Sequence, residues 1–357
     1  MAKGIYQGFY DNSRILNALD ADGKKPKIFF VVSRGRSLGK TYSFVKTLWE
    51  RFEETGEKFI LLTRRKKELG SVAMGVMKGY LENERPDVTL DEKQRIKGTF
   101  SDIYANIGTG EEREVMHCGY VIPLAAADDI KKISSLFVDA WCIMFDEFQP
   151  SALGSYLPDE VDALIRIHTS VARGGGKSIR YVPIFMLSNA INIFNPYFIM
   201  SGMVGKIQSR TRVYKGSGYI YERCMVVGKA EEQRELGLGS IFSTQENNYE
   251  DDNSWMADNG SCVCKPNGWG DSYYICTLIN GGETYAVRFY PEVGMYYVDR
   301  KADKTSPQRY NVRMDGNLNI PFIKNCPAIK DIKNRFMSGQ CRFADSGLQQ
   351  FILELFV

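Results

Sequence analysis

An α/β fold on a mainly parallel sheet, followed by a smaller α+β unit, is what this 357-residue sequence predicts. Three observations carry that expectation. The first ~220 residues alternate apolar, strand-like runs with segments of helical periodicity, as strands joined by crossover helices do. Beyond about residue 223 the texture turns polar and acidic, in KAEEQRELGLGS and STQENNYEDDNSWMADNG, which reads as a linker or small helical insert. From Gly270 onward, aromatic and β-branched runs are separated by the turn signals NGGE and PEVG, the mark of an antiparallel meander. The expected division is residues 1–222, 223–260 and 261–357.

The elements follow in order. KIFFVVS is a buried strand. Lys40 to Glu54 is a helix, with Phe44, Val45, Leu48 and Phe52 at helical spacing, and Gly56 ends it. KFILLT is the next strand, and AWCIMF and YVPIFMLS are two more. Between them a helix runs from about Asp159 to Ala172, closed by Gly174 to Gly176. SYYICTLI, TYAVRFY and MYYVDR are the meander strands, and the chain from about Ala328 reads as helical.

Composition bounds the function classes. With 44% hydrophobic and 25% charged residues the chain is ordinary globular protein. No uninterrupted apolar stretch approaches the ~20 residues a membrane helix needs. The N-terminus lacks a signal-peptide apolar centre, so the expected location is the cytoplasm in which the chain is made. Eight cysteines are scattered without a C-x-x-C pair, and the two histidines are His117 and His168; reduced, mostly buried thiols are expected rather than zinc. The net charge of +3 does not by itself announce a nucleic-acid partner. Its distribution says more: residues 260–357 carry twelve Lys/Arg against nine Asp/Glu, Arg300 to Arg313 is locally basic, and RRKK at Arg64 to Lys67 is a second cluster.

Chemistry enters with SRGRSLGKT, Ser33 to Thr41, directly after the first strand. A strand, a glycine-containing loop and then Gly-Lys-Thr opening a helix is the context of a phosphate-binding loop. Backbone N–H groups at such a helix start face phosphate oxygens, Gly39 lets the backbone approach, Lys40 reaches the β- and γ-phosphates, and Thr41 places its hydroxyl on Mg²⁺. Arg34 stands where the usual first glycine would be, although Gly35 next to it can supply the turn. The strand AWCIMF ends in Asp146-Glu147: Asp146 suits the Mg²⁺ water shell, and Glu147 can activate a water as general base. This pair favours ATP hydrolysis over a small-molecule kinase, and no N-K-x-D guanine signature is present. After YVPIFML, Ser188 and Asn189 stand where a sensor of the γ-phosphate would, in the layout of additional-strand (ASCE) P-loop ATPases; a helix-capping role for Asn189 is the alternative. Arg173, at the end of DEVDALIRIHTSVAR, is either a finger for a neighbouring subunit's γ-phosphate or a cation on a helix C-terminus.

The loop with Arg36 three residues before Gly39-Lys40 resembles those of viral DNA-packaging ATPases (terminase large subunits), and Arg34 is a departure from them. SRGRSLGKTYSF, GEKFILLTRR, FDEF, YLPDEVDALIRIHTSVAR, LSNAINIFNPYF, GMYYVD and FMSGQCRF resemble the encapsidation ATPases of the phi-29-like podoviruses, over most of the chain. That resemblance implies a P-loop ASCE ATPase that grips ATP and Mg²⁺ through Arg36, Ser37, Leu38, Gly39, Lys40, Thr41 and Asp146. It implies Glu147, Asn189, a trans-acting Arg173 and Lys132 (Lys131 being equally eligible) as catalytic residues. It also implies that Arg64, Arg65, Lys66 and Lys67 face double-stranded DNA in a pore, a solvated surface run being the alternative. The implied assembly is a homomeric, pentameric ring in the host cytoplasm, docked transiently on the procapsid at its portal. A structural packaging RNA is a further implied partner. Residues 261–357 would then be an RNase H-like nuclease domain that has lost its chemistry, since SYYICTLI carries no acid and Asp299 and Asp345 are isolated. A complete terminase with an active endonuclease, and a P-loop module that holds ATP without translocating, are the rival expectations.

Overall fold

The structure, a computed structural model, describes residues 5–33, 38–70, 72–108, 113–150, 156–173, 179–193, 195–204, 206–207, 211–227, 262–280, 282–313, 319–337 and 340–355. Arg34, Gly35, Arg36, Ser37, the glycines Gly174 to Gly176 and nearly all of the expected linker lie outside the described residues. The chain forms two compact units: residues 1–191 with 209–256, and residues 192–208 with 257–357.

The first unit contains β1 (Ile5–Gln7), α1 (Ser13–Leu16), β2 (Ile28–Ser33), α2 (Lys40–Thr55), β3 (Lys58–Thr63), α3 (Val72–Glu84), β4 (Val88–Ile96), β5 (Phe100–Ile107), β6 (Glu114–Pro123), α4 (Ala127–Ile130), β7 (Ala140–Asp146), α5 (Glu160–Ala172), β8 (Ile184–Asn189), β9 (Val213–Gly216) and β10 (Tyr219–Val227). Its sheet runs β1-β10-β2-β8-β7-β3-β6-β5-β4, with β9 paired to β10. Every pairing from β1 to β6 along that order is parallel, and β4, β5 and β9 join antiparallel. The central strands are buried on both faces, which is why β2 and β3 read as continuous apolar runs. On one face α2 inserts Phe44, Leu48, Trp49 and Phe52 among Phe29, Val31, Phe59, Phe185 and Leu187. Each such side chain contributes about 1.5–3 kcal/mol on burial. The strand expected from Tyr181 begins at Ile184 instead: Pro183 has no N–H for a ladder, and the Tyr181 hydroxyl donates to the Pro26 carbonyl at 2.7 Å. At the other end of the unit, β10 continues to Val227, past the boundary that composition suggests at 222.

The second unit holds α6 (Pro196–Met200), β11 (Tyr273–Asn280), β12 (Glu283–Tyr290), β13 (Met295–Asp299), β14 (Arg309–Asn311), α7 (Ile329–Met337), β15 (Cys341–Phe343) and α8 (Ser346–Glu354). Strands β11, β12 and β13 form the expected antiparallel meander, and Gly282 and Gly294 take the left-handed φ values of 97° and 64° in its turns. β14 and β15 add parallel strands at the two edges, so the C-terminal stretch is helical with one strand set into it. Cys276, Leu278, Val287, Val298, Ile332, Phe343, Leu348 and Ile352 make its core.

Candidate active site

Parallel strands joined by crossover helices deliver their carboxyl ends to one edge of a sheet, where ligands bind in α/β folds. In the order β2-β8-β7 that edge sets Ser33, Asn189 and Asp146 side by side, with β8 between the two strands that carry the phosphate loop and the Asp-Glu pair. This is the strand arrangement expected of an additional-strand P-loop ATPase.

Four of the expected residues come together there. The Thr41 hydroxyl donates to Asp146 Oδ2 at 2.8 Å. Lys40 Nζ donates to Ser33 Oγ at 3.4 Å, and Ser33 Oγ donates in turn to Asn189 Oδ1 at 3.3 Å. A chain of hydrogen bonds thus joins the loop lysine to the end of β8. Asn189 is itself the last residue of β8, and the helix that follows is capped by Asn195, whose Oδ1 accepts from Phe198 N at 3.1 Å. Beside it, the hydroxyl of Ser188 is buried without a hydrogen-bond partner among the described residues.

Gly39 takes φ 86° immediately before α2, a left-handed value that a side chain would strain. A Cβ there would also stand 3.0 Å from Phe9 Cβ, because the N-terminal segment is docked on the loop by Tyr10 N–H donating to the Leu38 carbonyl at 3.0 Å. No pattern in the residues around Phe9 announces that docking. Residues Phe9 to Asp11 line, with Gly39 to Ser43, Lys46, Asn83 and Glu84, a cavity of about 790 Å³ at the start of α2. The aligned N–H groups of α2 and the ammonium of Lys40 suit phosphate, and Thr41 with Asp146 offers the hard oxygen donors that Mg²⁺ uses alongside phosphate and water.

Glu147 is held in an unusual backbone state. Its φ is 53°, a left-handed value that costs a non-glycine residue on the order of 1–3 kcal/mol. Its N–H donates to Asp146 Oδ1 at 3.0 Å, and the next N–H, of Phe148, donates to the Leu187 carbonyl on β8 at 3.1 Å.

The arginines divide. Arg64, expected at a DNA surface, turns inward: its Nε donates to Glu160 Oε2 at 2.9 Å, its Nη2 donates to the Phe148 carbonyl at 2.7 Å, and the guanidinium lies over Phe145 and Tyr156. Only 10% of its side chain and 1% of that of Glu160 are exposed. The reading of Arg64 as a DNA contact is corrected on that ground, since a guanidinium committed to a buried carboxylate cannot also face a phosphate backbone. Arg65, Lys66 and Lys67 are exposed. Lys66 Nζ lies 3.6 Å from Asp129 Oδ2, and Lys132 Nζ lies 3.4 Å from Asp129 Oδ1. Lys131 and Lys132 are both exposed at the start of a 3₁₀ turn, Lys131–Phe137.

Arg173 is exposed at the end of α5. Helix α5 begins at the carboxyl edge of the sheet, where Arg64 holds Glu160. It ends near the opposite edge, where Arg180 donates both to the Val171 carbonyl at 2.9 Å and to the Ala140 carbonyl, at the start of β7, at 2.9 Å. Thirteen helical residues at 1.5 Å each put Arg173 about 20 Å from the Glu147 end of its own subunit. The structure therefore does not bring Arg173 to its own Thr41–Asp146 pair. At the end of α5 it is Arg180 that supplies a cation to a last-turn carbonyl, and nothing in the sequence around Arg180 announces that contact.

Over residues 9–357 the chain matches the family described as podovirus DNA encapsidation protein (Gp16). It is 26% identical over 336 residues to the DNA packaging protein of Bacillus phage phi29, covering 92% of this chain and 93% of that one. It is likewise 26% identical over 338 residues to the DNA packaging protein of Bacillus phage B103, covering 92% and 97%. Among solved structures, the bacteriophage phi-29 viral genome packaging motor assembly aligns over 98% of this chain and 99% of that chain, at a TM-score of 0.58 and 23% identity, a likeness of fold. A phosphate loop facing an Asp-Glu strand end, on a chain matched by one family across both of its units, leads to one conclusion: this protein belongs to the podovirus DNA encapsidation protein (Gp16) family.

Proposed function

We propose that this chain is an ATP-hydrolysing motor that drives double-stranded viral DNA into a preformed capsid as a homomeric ring. The hydrogen bond between Thr41 and Asp146, with Glu147 held beside it, is the observation that carries the reading. Bound Mg²⁺ supplies charge neutralisation at the β- and γ-phosphates. Lys40 holds those phosphates, Asn189 orients the γ-phosphate or the attacking water, and Glu147 takes the water's proton. Arg36 and Ser37, outside the described residues, belong with Lys40 and Thr41 to the proposed ATP-binding set.

In the ring, Arg173 reaches the γ-phosphate of the neighbouring subunit, because its own lies a helix length away; Lys132 or Lys131 is a second residue acting across the interface. Arg65, Lys66 and Lys67 face the phosphate backbone of the DNA, a contact that weakens steeply with salt. The wider assembly we propose is a pentamer on the capsid portal, in the host cytoplasm, with a structural RNA as a further partner. Residues 261–357 serve as a docking domain rather than a nuclease. Asp299 is engaged by Arg288 at 2.9 Å and Asp345 by Arg300 at 3.0 Å.

The test is ATP hydrolysis by the full chain with and without double-stranded DNA, beside Glu147→Gln. Turnover that rises with DNA, and a variant that binds ATP without hydrolysing it, are expected. A chain that holds ATP but never turns it over, with DNA and empty capsids present, would reduce the protein to a binding module.

A further inference from the structure

We propose that Asn12 is a positioning residue for the phosphate-binding turn Gly39 to Thr41, and that it sets the grip on the triphosphate through α2 without touching the nucleotide. The inference rests on the reading of that turn as the ATP site. It goes further by naming the side chain that ties the turn to the sheet.

Asn12 stands immediately before α1, where an asparagine side chain ordinarily accepts from the backbone of its own helix. Here it does not: Asp11 Oδ1 accepts from the Ser13 N–H, at 2.9 Å, and Asn12 is turned to α2 instead. Its N–H donates to Ser43 Oγ at 3.1 Å, and its amide Nδ2 donates to the Ser43 carbonyl at 3.1 Å and to Thr47 Oγ1 at 2.9 Å. Thr47 Oγ1 donates in turn to the Ser43 carbonyl at 3.2 Å. Ser43 is thereby fixed at its side chain and its carbonyl. Its N–H donates to the Gly39 carbonyl at 2.9 Å, closing the turn that carries Lys40 and Thr41. Helix α2 has no side-chain cap of its own, so the N–H groups of that turn stay open for phosphate.

The segment that carries Asn12 is anchored on both sides of it. Before it, the Tyr10 ring stacks on that of Phe44, with centroids 6.3 Å apart, and the Tyr10 hydroxyl donates to Glu222 Oε2 at 3.2 Å. After it, Arg14 pairs with the other oxygen of the same carboxylate, on β10 beside β2. Glu222 is 1% exposed, so water does not compete for either bond. Asn12 thus passes the position of the sheet to the start of α2. It is itself buried and is not among the residues that line the cavity there. A misplacement of about 1 Å, caused far from the chemistry, can cost on the order of 10²-fold. Because Asn12 acts through α2 alone, its loss must weaken every ligand that the turn grips by its phosphates, whether or not a base is attached.

The experiment compares Asn12→Asp and Thr47→Val with the unmodified full chain. Aspartate has the shape of asparagine but sets an oxygen where Nδ2 faces the Ser43 carbonyl, and Thr47→Val removes one acceptor while leaving Asn12 in place. Thermal melts establish folding. Calorimetric titrations, each with Mg²⁺, measure the binding of ATP and of inorganic tripolyphosphate, and hydrolysis is followed at saturating ATP. Asn12→Asp should bind both ligands about tenfold more weakly, by one common factor, and Thr47→Val about threefold, with kcat at saturation changed by less than about threefold. Unchanged affinities in a folded Asn12→Asp chain, or in Thr47→Val where the first does not fold, refute the positioning role. Tripolyphosphate that is unaffected while ATP weakens, or that is bound by no chain, also refutes it and places the effect at the nucleoside. A weakening that vanishes at a temperature well below a lowered melt refutes it too and makes Asn12 a structural residue. Lys40→Ala run in parallel separates the failures: if that variant binds both ligands as tightly as the unmodified chain, the reading of the turn as the ATP site falls instead.

Discussion

Replacing Arg173 by alanine should abolish turnover and leave the fold almost untouched, a separation that follows from where α5 ends. Arg180 already donates to the Val171 carbonyl at 2.9 Å and to the Phe137 carbonyl at 3.1 Å, so the helix C-terminus keeps its cation. An exposed residue with that duty filled changes stability by about 0.5 kcal/mol or less, or about 2 °C in Tm for a unit of this size. The kinetic cost is of another order: a trans-acting arginine contributes roughly 10³–10⁵ in rate, about 4–7 kcal/mol of barrier. Because about 20 Å of helix separates Arg173 from its own Glu147, the loss should be repaired only across an interface. Mixing Arg173→Ala chains with Lys40→Ala chains, each inactive alone, tests this. About one interface in four of an evenly mixed head-to-tail ring then pairs an intact loop with an intact arginine, and activity should return to about that fraction. The assays are a melt, ATP binding and hydrolysis of the two variants alone and mixed. Wild-type turnover by Arg173→Ala, or no recovery in rings demonstrated to be mixed, would refute the reasoning.

Other outcomes follow from the same structure. Glu160→Gln strips the buried Arg64 of its counter-charge, which should cost about 3–5 kcal/mol and lower Tm by about 6–20 °C in calorimetry. Thr41→Ser keeps the hydroxyl that bonds Asp146 and should retain Mg²⁺-dependent hydrolysis, whereas Thr41→Val should lose it. Burial holds both His117 and His168 below the usual imidazole range. The unfolded chain therefore binds more protons as pH falls through about 6.5, and stability, complete above that pH, should decline by about 1.4 kcal/mol per pH unit for each histidine until the folded values are reached. Urea melts at pH 7.5 and 5.5 check this, and His168→Gln should halve the slope. Supercoiled plasmid incubated with the full chain and Mn²⁺ should stay uncut; cutting that disappears on Asp299→Ala would establish a complete terminase.

The strand and helix that flank the Ser33 to Thr41 segment, the strand ending in Asp146 and the helix after it were legible because each is written in contiguous residues. Buried parallel strands announce themselves as unbroken apolar runs, and all four of the first unit's expected strands are present, one of them shortened by Pro183. The hairpin strands β4 and β5 were not anticipated. β4 lies at the sheet's edge with charged residues along it and little buried beyond Val88, so it has no apolar run to read. Short β15 was absorbed into a helical reading for want of length. Contacts between distant residues were invisible in principle: nothing near Tyr10 announces a bond to Leu38, and nothing near Arg180 announces Val171 and Ala140. The run RRKK misled because composition treats four basic residues as equivalent. Geometry separates the first from the rest, and the carboxylate that does so, Glu160, lies far along the chain.

That separation makes α5 more than a crossover helix. Its first residue, Glu160, holds the arginine that fixes the turn behind its own subunit's Glu147, and the residue after its last turn is Arg173. The buried faces of Ala163, Leu164, Ile167 and Val171 seat the rod along its length, and Arg180 clamps its far end to β7. A displacement at one end cannot be absorbed by bending a straight, packed helix of this length without breaking one of those contacts. In the proposed ring, a change at the turn that holds Glu147 should therefore be delivered as a movement of Arg173, at the neighbour's nucleotide. Sequential firing around a ring needs such a link between what a subunit has done and what its neighbour is allowed to do. In this chain the link can be built from one buried ion pair and one helix, with no motion of the sheet.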